Sequence, residues 1–192
     1  MKQDYKELSF AAFERSEAVG LEPKLNFKKA ITGELTKGLD DLCCNELGSF
    51  LLEQFGDGYW GTECLNIAPQ MFAALQHLGF DCDLVYGEVE INGTDEFDTT
   101  LTGLLEELER PKDVGFAIHV WLQIGKDLII DPTIAARINK YYSSQYPPHK
   151  IIVGRSKKLL KELRLDYKPM LIGAKFITKT CGIPLYYNAD VK

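Results

Sequence analysis

Phe116-Ala117-Ile118-His119-Val120-Trp121-Leu122-Gln123-Ile124-Gly125-Lys126-Asp127-Leu128-Ile129-Ile130-Asp131-Pro132-Thr133 is the stretch that decides how this chain folds. Residues 116–124 and 128–131 are short apolar runs rich in strand formers, joined around a glycine, and they read as a β-hairpin. Side chains alternate across a strand. Ala117, His119, Trp121 and Gln123 therefore share one face, and Phe116, Ile118, Val120, Leu122 and Ile124 share the other. The second set is wholly apolar and is the expected core side. His119 then points the other way, beside an indole able to wall a pocket. Register decides whether Asp131 can join it. A two-residue turn at Gly125-Lys126 puts Asp131 opposite Val120 on the core face, an expensive place for a carboxylate. A three-residue loop, Gly125-Lys126-Asp127, pairs Leu122 with Ile130 and Trp121 with Asp131. That register buries the apolar pairs and leaves Asp131 on His119's face, a diagonal neighbour.

Upstream of the hairpin, residues 64–78 carry the most regular helical pattern, with Leu65, Ala68, Phe72, Leu75 and Leu78 recurring before Gly79 closes the segment. The loop before it, Gly56-Asp57-Gly58-Tyr59-Trp60-Gly61-Thr62, is dense in turn formers. Residues 82–89 read as a strand, Asn92-Gly93 as a turn, and 99–109 as a short acidic helix ending before Pro111. Towards the start, 3–17 is helical with Tyr5, Leu8, Ala12 and Phe13 along one face, ended by Gly20 and Pro23. A second helical stretch, 32–55, has a break expected at Gly48. Downstream, 156–165 is a basic helical stretch and 170–180 a final strand region. Helices first and strands afterwards predict an α+β domain with an antiparallel sheet. No linker divides residues 1–192, so a single domain is expected: a helical part (1–55), a core (56–135) and a C-terminal helix and strand (136–192).

With 28 acidic against 22 basic residues, the net charge of -6 argues against a nucleic-acid partner. Carboxylates dominate between 83 and 113, opposed by Arg110 and Lys112, and lysines and arginines dominate from 150 onwards; both stretches read as solvated surface. No apolar run approaches the roughly 20 residues needed to cross a bilayer. The opening residues lack the apolar core of a secretory signal, so a cytosolic location is expected. The five cysteines are Cys43, Cys44, Cys64, Cys82 and Cys181. An odd number with no C-x-x-C spacing supports neither a disulfide framework nor a zinc site. Most are expected to be buried as small hydrophobes.

Cys64 is the exception. It opens its helix, where free N–H groups and the positive end of the helix dipole favour a thiolate, the attacking species in cysteine catalysis. The same N–H groups suit a developing oxyanion. Taken singly, a cysteine at a helix start, a histidine in a strand and an aspartate before proline all have ordinary structural roles. Together, Cys64, His119 and Asp131 supply nucleophile, base and orienting carboxylate. Trp60 and Trp121 are the candidate pocket walls, and the Trp60 indole is also a candidate oxyanion donor.

Three blocks resemble the transglutaminase-like group of the papain-like fold, in that family's order: Gly61-Thr62-Glu63-Cys64 running to Leu75-Gln76-His77-Leu78-Gly79-Phe80 with the strand Asp83-Leu84-Val85-Tyr86-Gly87; His119-Val120-Trp121; and Asp131-Pro132-Thr133. The resemblance spans residues 58–133. It implies a nucleophile helix packed on an antiparallel β-sheet, with Cys64 as nucleophile, His119 as general base and acid, and Asp131 as the orienting carboxylate. It implies no metal and no organic cofactor. At Glu63-Cys64-Leu65 the chain departs from the residues many relatives carry around the nucleophile. A carboxylate turned inward there opposes a thiolate.

The expected chemistry is acyl transfer from an amide through a thioester. A water acceptor makes the chain a peptidase or deamidase, and an amine acceptor a transglutaminase-like transferase. The substrate is then a protein, peptide or small amide; the acidic stretch 88–109 suits an amine-bearing one, unless it is a solvated insertion. A catalytically inactive protein-binding module and an N-acyltransferase using acyl-CoA are the alternatives.

Overall fold

The computed structural model describes residues 4–111 and 117–182. Gln3 and Phe116, limits of two expected elements, lie outside the described residues. The first helix, α1 (Tyr5–Ala18), forms where expected, but its buried stripe is Tyr5, Ser9, Ala12 and Ser16, with Leu8 and Phe13 only half-buried. The hydroxyls on that stripe are satisfied across the interface. Tyr5 and Ser9 both donate to Gln123 Oε1, at 2.6 and 3.0 Å, and Ser16 Oγ accepts from the Ile172 N–H at 2.7 Å. A polar helix face is thereby buried at little cost.

The second helical stretch comprises α2 (Gly33–Leu42), a π-helical turn at Cys43–Leu47 and α3 (Gly48–Phe55). Thr32 caps it by accepting from the Leu35 N–H at 3.1 Å. The break expected at Gly48 is absent, because Gly48 itself is helical (φ -62, ψ -43), and the irregularity falls in the preceding turn. A 3-10 turn at Trp60–Thr62 leads into α4 (Cys64–His77), and Gly79 follows in the left-handed region at φ +82. The buried stripe of α4 includes Ala68, Phe72 and Leu75 as expected, but also Cys64 and Met71, while Leu78 at the far end is exposed. Spaced four, three and four apart from Ala68 and its successors, Cys64 heads the side of the helix that faces the sheet.

Strand β1 (Cys82–Ile91) turns through Asn92 and Gly93, both at positive φ, into the short β2 (Thr94–Asp95). Next come α5 (Leu101–Glu109), β3 (His119–Ile124), β4 (Leu128–Asp131), α6 (Ile134–Arg137), β5 (Ile152–Arg155), α7 (Ser156–Leu163), β6 (Leu165–Ile172) and α8 (Lys175–Cys181). The expected final strand at 170–180 is thus corrected. Its strand ends at Ile172, Gly173 adopts φ +126, and the chain re-enters a helix that buries Phe176 and Ile177. The run of apolar and β-branched residues there looks like a strand, but the glycine breaks it.

All strand pairs are antiparallel: β3 and the short β2 lie end to end along one edge of β1, β6 along the other, and β4 and β5 follow β3, giving an α+β fold. The hairpin adopts the three-residue loop, with Ile124 opposite Leu128 and Leu122 opposite Ile130. On one face Ile118, Val120, Leu122 and Ile124 meet α4 in the main core, as the alternation predicts. The other face is not open. Trp121 and Ile129 lie in a second core under α1, and Gln123 is buried beside them.

One of two expectations about charge changes. The stretch 88–109 is not simply a solvated insertion, because Glu88 and Glu107 are buried. The basic residues after 150 form solvated surface as expected, with Lys157, Lys158, Lys161, Arg164, Lys175 and Lys179 exposed, and lysines there also pair with acids of the same chain: Lys157 with Asp4, Lys168 with Glu90 and Asp95, and Lys175 with Glu22. Among the described residues, no helix is long and apolar enough to cross a membrane.

Candidate active site

The site lies where β3 begins. Cys64 sits at the head of α4, and its Sγ donates to the carbonyl of Ile118 at 3.4 Å, one residue before His119. Its neighbour Glu63 does not turn inward, and its carboxylate accepts from the Asn66 side chain at 2.7 Å in an exposed contact. His119 is fully buried and donates from Nε2 to Asp131 Oδ2 at 2.6 Å. Its Nδ1 is buried without a hydrogen-bond partner among the described residues.

Asp131 ends β4, and its carboxylate is fully occupied. Oδ2 also accepts from the Tyr167 hydroxyl at 3.0 Å, while Oδ1 accepts the backbone N–H groups of Thr133 and Ile134 at 2.9 and 3.0 Å. The Asp-Pro-Thr turn therefore points the first N–H groups of α6 at the carboxylate. Burial opposes the charge on Asp131, but the His119 imidazolium and those N–H groups hold the carboxyl below its ordinary 3.8. For His119, burial likewise pushes down, yet the Asp131 charge and hydrogen bond, with help from Cys64, raise the imidazole well above 6.5. The geometry favours a charged His119–Asp131 pair, with the Cys64 thiol held against the backbone one residue before the imidazole.

No family model, curated protein or solved structure matches this chain. What the site can do therefore rests on its own geometry. The structure brings Cys64, His119 and Asp131 together, but places neither tryptophan as a pocket wall. Trp121 is fully buried and donates from Nε1 to Tyr5 Oη at 3.2 Å. Trp60 is 1% exposed, donates to the Gly56 carbonyl at 3.0 Å and packs on His149, so its N–H is not free for an oxyanion. The remaining candidate donors are the Cys64 and Leu65 N–H groups in the first turn of α4, where a helix supplies no acceptor. Among the described residues, no cluster of His, Cys, Asp or Glu is placed to hold a metal ion.

Sequence reasoning missed four residues around the site. Phe97 lies flat on the His119 ring, with centroids 4.3 Å apart and planes 12° apart. Arg137 stacks on Phe97, its guanidinium carbon 4.4 Å from the ring centroid. Glu88 anchors the loop that carries Phe97, and Tyr167 braces Asp131. No motif marks these positions, because each depends on which strand edges meet in space. The positive charge of Arg137, six residues after Asp131, was the one visible signal.

Proposed function

We propose that this chain is a cysteine enzyme of the transglutaminase-like, papain-like kind that acts on amides. The observation that carries the reading is the buried His119, bonded through Nε2 to Asp131 with its Nδ1 unpartnered, while Cys64 at a helix start donates to the carbonyl of the residue just before it. Asp131 fixes the imidazole's tautomer and stabilises its charged form, leaving Nδ1 to exchange a proton with the thiol.

In the reaction, the Cys64 thiolate attacks the carbonyl carbon, and the oxyanion forms against the first-turn N–H groups of α4. The C–N bond breaks as the His119 imidazolium gives its proton to the leaving amine. The thioester then accepts water, whose proton passes to His119, and the thiolate departs with a carboxylic acid as product. An amine in place of water gives a new amide by the same steps.

The test is acylation by 4-nitrophenyl acetate followed by peptide mass spectrometry. The reading expects a single acetyl group on Cys64, absent in Cys64→Ala and lowered about a hundredfold in rate in His119→Ala. Release of that acetyl group by water alone marks a hydrolase, and release only after a primary amine is added marks a transferase. Acetylation that is indifferent to His119 removes the enzymatic reading and leaves a protein-binding module.

A further inference from the structure

The catalytic side chains are closed off in this structure. Cys64 is 4% exposed and His119 not at all. Over His119 lies a five-residue strap, 95–99, that begins in β2 and sets Phe97 flat on the imidazole. β1 explains why it runs there. Its residues up to Gly87 pair with β3, and Glu90 and Ile91 pair with β2, so Glu88 and Val89 lie in the gap between them on that edge, where the Val89 carbonyl accepts the Glu96 N–H at 3.1 Å. Glu88 fills the gap with a buried carboxylate. Its Oε1 accepts the N–H groups of Glu96 and Phe97, both at 3.0 Å, and its Oε2 accepts that of Thr99 at 2.6 Å. Asp98, at φ +55, makes the tight bend that lets those N–H groups converge. The result is a preformed bend that holds Phe97 flat on His119.

The second hold on the strap comes from Arg137. Its Nε donates to Glu96 Oε2 at 2.9 Å, its Nη2 to the Glu96 carbonyl at 2.7 Å, and its guanidinium stacks on Phe97. The Tyr142 hydroxyl also donates to Glu96 Oε1. Arg137 also lies close to the loop before α4, since a Cβ on Gly61, three residues before Cys64, would meet the Tyr59 ring and then Arg137 Cγ. Lys140, one turn further on, lies over the Tyr59 and Tyr141 rings at 4.3 and 4.9 Å. A lifted strap would leave Arg137 as a planar cation without the Glu96 carboxylate.

We infer that the 95–99 strap is an autoinhibitory latch, and that Arg137, now occupied by Glu96, receives a carboxylate carried by the substrate. The substrate class is then an amide with a carboxylate near the scissile bond, which takes over the fork on Arg137 and releases Phe97 from the imidazole. A guanidinium suits that exchange because its paired N–H groups match a carboxylate in charge and shape. The inference rests on the Cys64–His119 reading for its readout.

The test compares alkylation of Cys64 by iodoacetamide and by its carboxylate counterpart, iodoacetate, in the full chain. Glu96→Gln is expected to speed iodoacetamide about tenfold by loosening the strap, and iodoacetate further still. Arg137→Gln keeps the iodoacetamide gain and loses the extra preference for iodoacetate, part of which Arg137→Lys retains. Rates in Glu96→Gln and in the milder Phe97→Leu that equal wild type overturn the latch. An iodoacetate preference unchanged in Arg137→Gln overturns the carboxylate site. Buried Cys43 and Cys82 report global opening; if they accelerate alongside Cys64 in both strap variants, the strap belongs to the cooperative core and is no latch. Failure of the triad reading looks different: Cys64 still accelerates in Glu96→Gln, but adding His119→Ala to that variant changes nothing.

Discussion

Asp131 and Glu88 are both buried carboxylates that collect backbone N–H groups, yet they do different jobs. Glu88 spends both oxygens on the main chain of β1 and the strap, including the Val89 N–H at 2.8 Å, and no titratable side chain hydrogen-bonds to it among the described residues. Asp131 commits one oxygen to the start of α6 and turns the other to His119 and Tyr167. Glu88 therefore shapes a loop, while Asp131 sets the charge of a histidine. What separates a structural carboxylate from a poised one is the imidazole at its second oxygen.

Substitutions can break or sharpen that contrast. Asp131→Asn is expected to have the largest effect, destabilising the chain by roughly 3 kcal/mol as a buried ion pair loses its charge partner. Urea unfolding measures that loss, and Cys64 acylation should fall with it. The same variant sharpens the contrast through pH. Asp131, held below 3.8, contributes stability that is present above that value and lost as pH falls through its lowered pKa. His119, held above 6.5, contributes stability that is full below that value and lost as pH rises through its raised pKa. The pair's contribution is thus greatest between 3.8 and 6.5. Unfolding free energies of wild type and Asp131→Asn should differ most in that window and converge on either side.

Glu88→Gln comes next, at about 2 kcal/mol, because an amide NH₂ would face a strap N–H that has lost its acceptor. Hydrogen exchange at Glu96, Phe97 and Thr99 should quicken while the amides of β4 keep their protection. Equal loss of protection in β4 would make Glu88 part of the site's frame and erase the distinction from Asp131. Tyr167→Phe is the mildest, costing about 1 kcal/mol, since Asp131 retains its other partners. It should leave the dependence of Cys64 chemistry on His119 intact.

The hairpin was legible because alternation and the cost of a core carboxylate both favoured the three-residue loop, and Leu122 does lie opposite Ile130. Cys64 at a helix start was equally legible from the period of α4. The second buried face was not. Tyr5, Ser9 and Gln123 look like surface residues until their hydrogen bonds across the interface are seen, so Trp121 passed for a pocket wall. The roles of Glu88 and Arg137 were hidden for a related reason. Each is an ordinary charged residue in sequence, and acquires its role only where β2 and β3 share one edge of β1. The helix at Lys175–Cys181 was misread because composition outweighed the single glycine that redirects the chain.

The central claim is that His119 governs the chemistry of Cys64, and the pH dependence of iodoacetamide alkylation tests it most directly. The other cysteines in the chain provide the contrast. Burial pushes Cys43 up to about 12 and Cys82 higher still, and burial together with Asp40 also raises Cys44. Below its pKa near 8.5, an ordinary thiol reacts roughly tenfold faster for each unit by which the pH rises. The account predicts that Cys64 alkylation changes little between about pH 6 and about pH 8, and that His119→Ala restores the ordinary steep rise. A steep rise at Cys64 in the wild type, unaltered by His119→Ala, would contradict it.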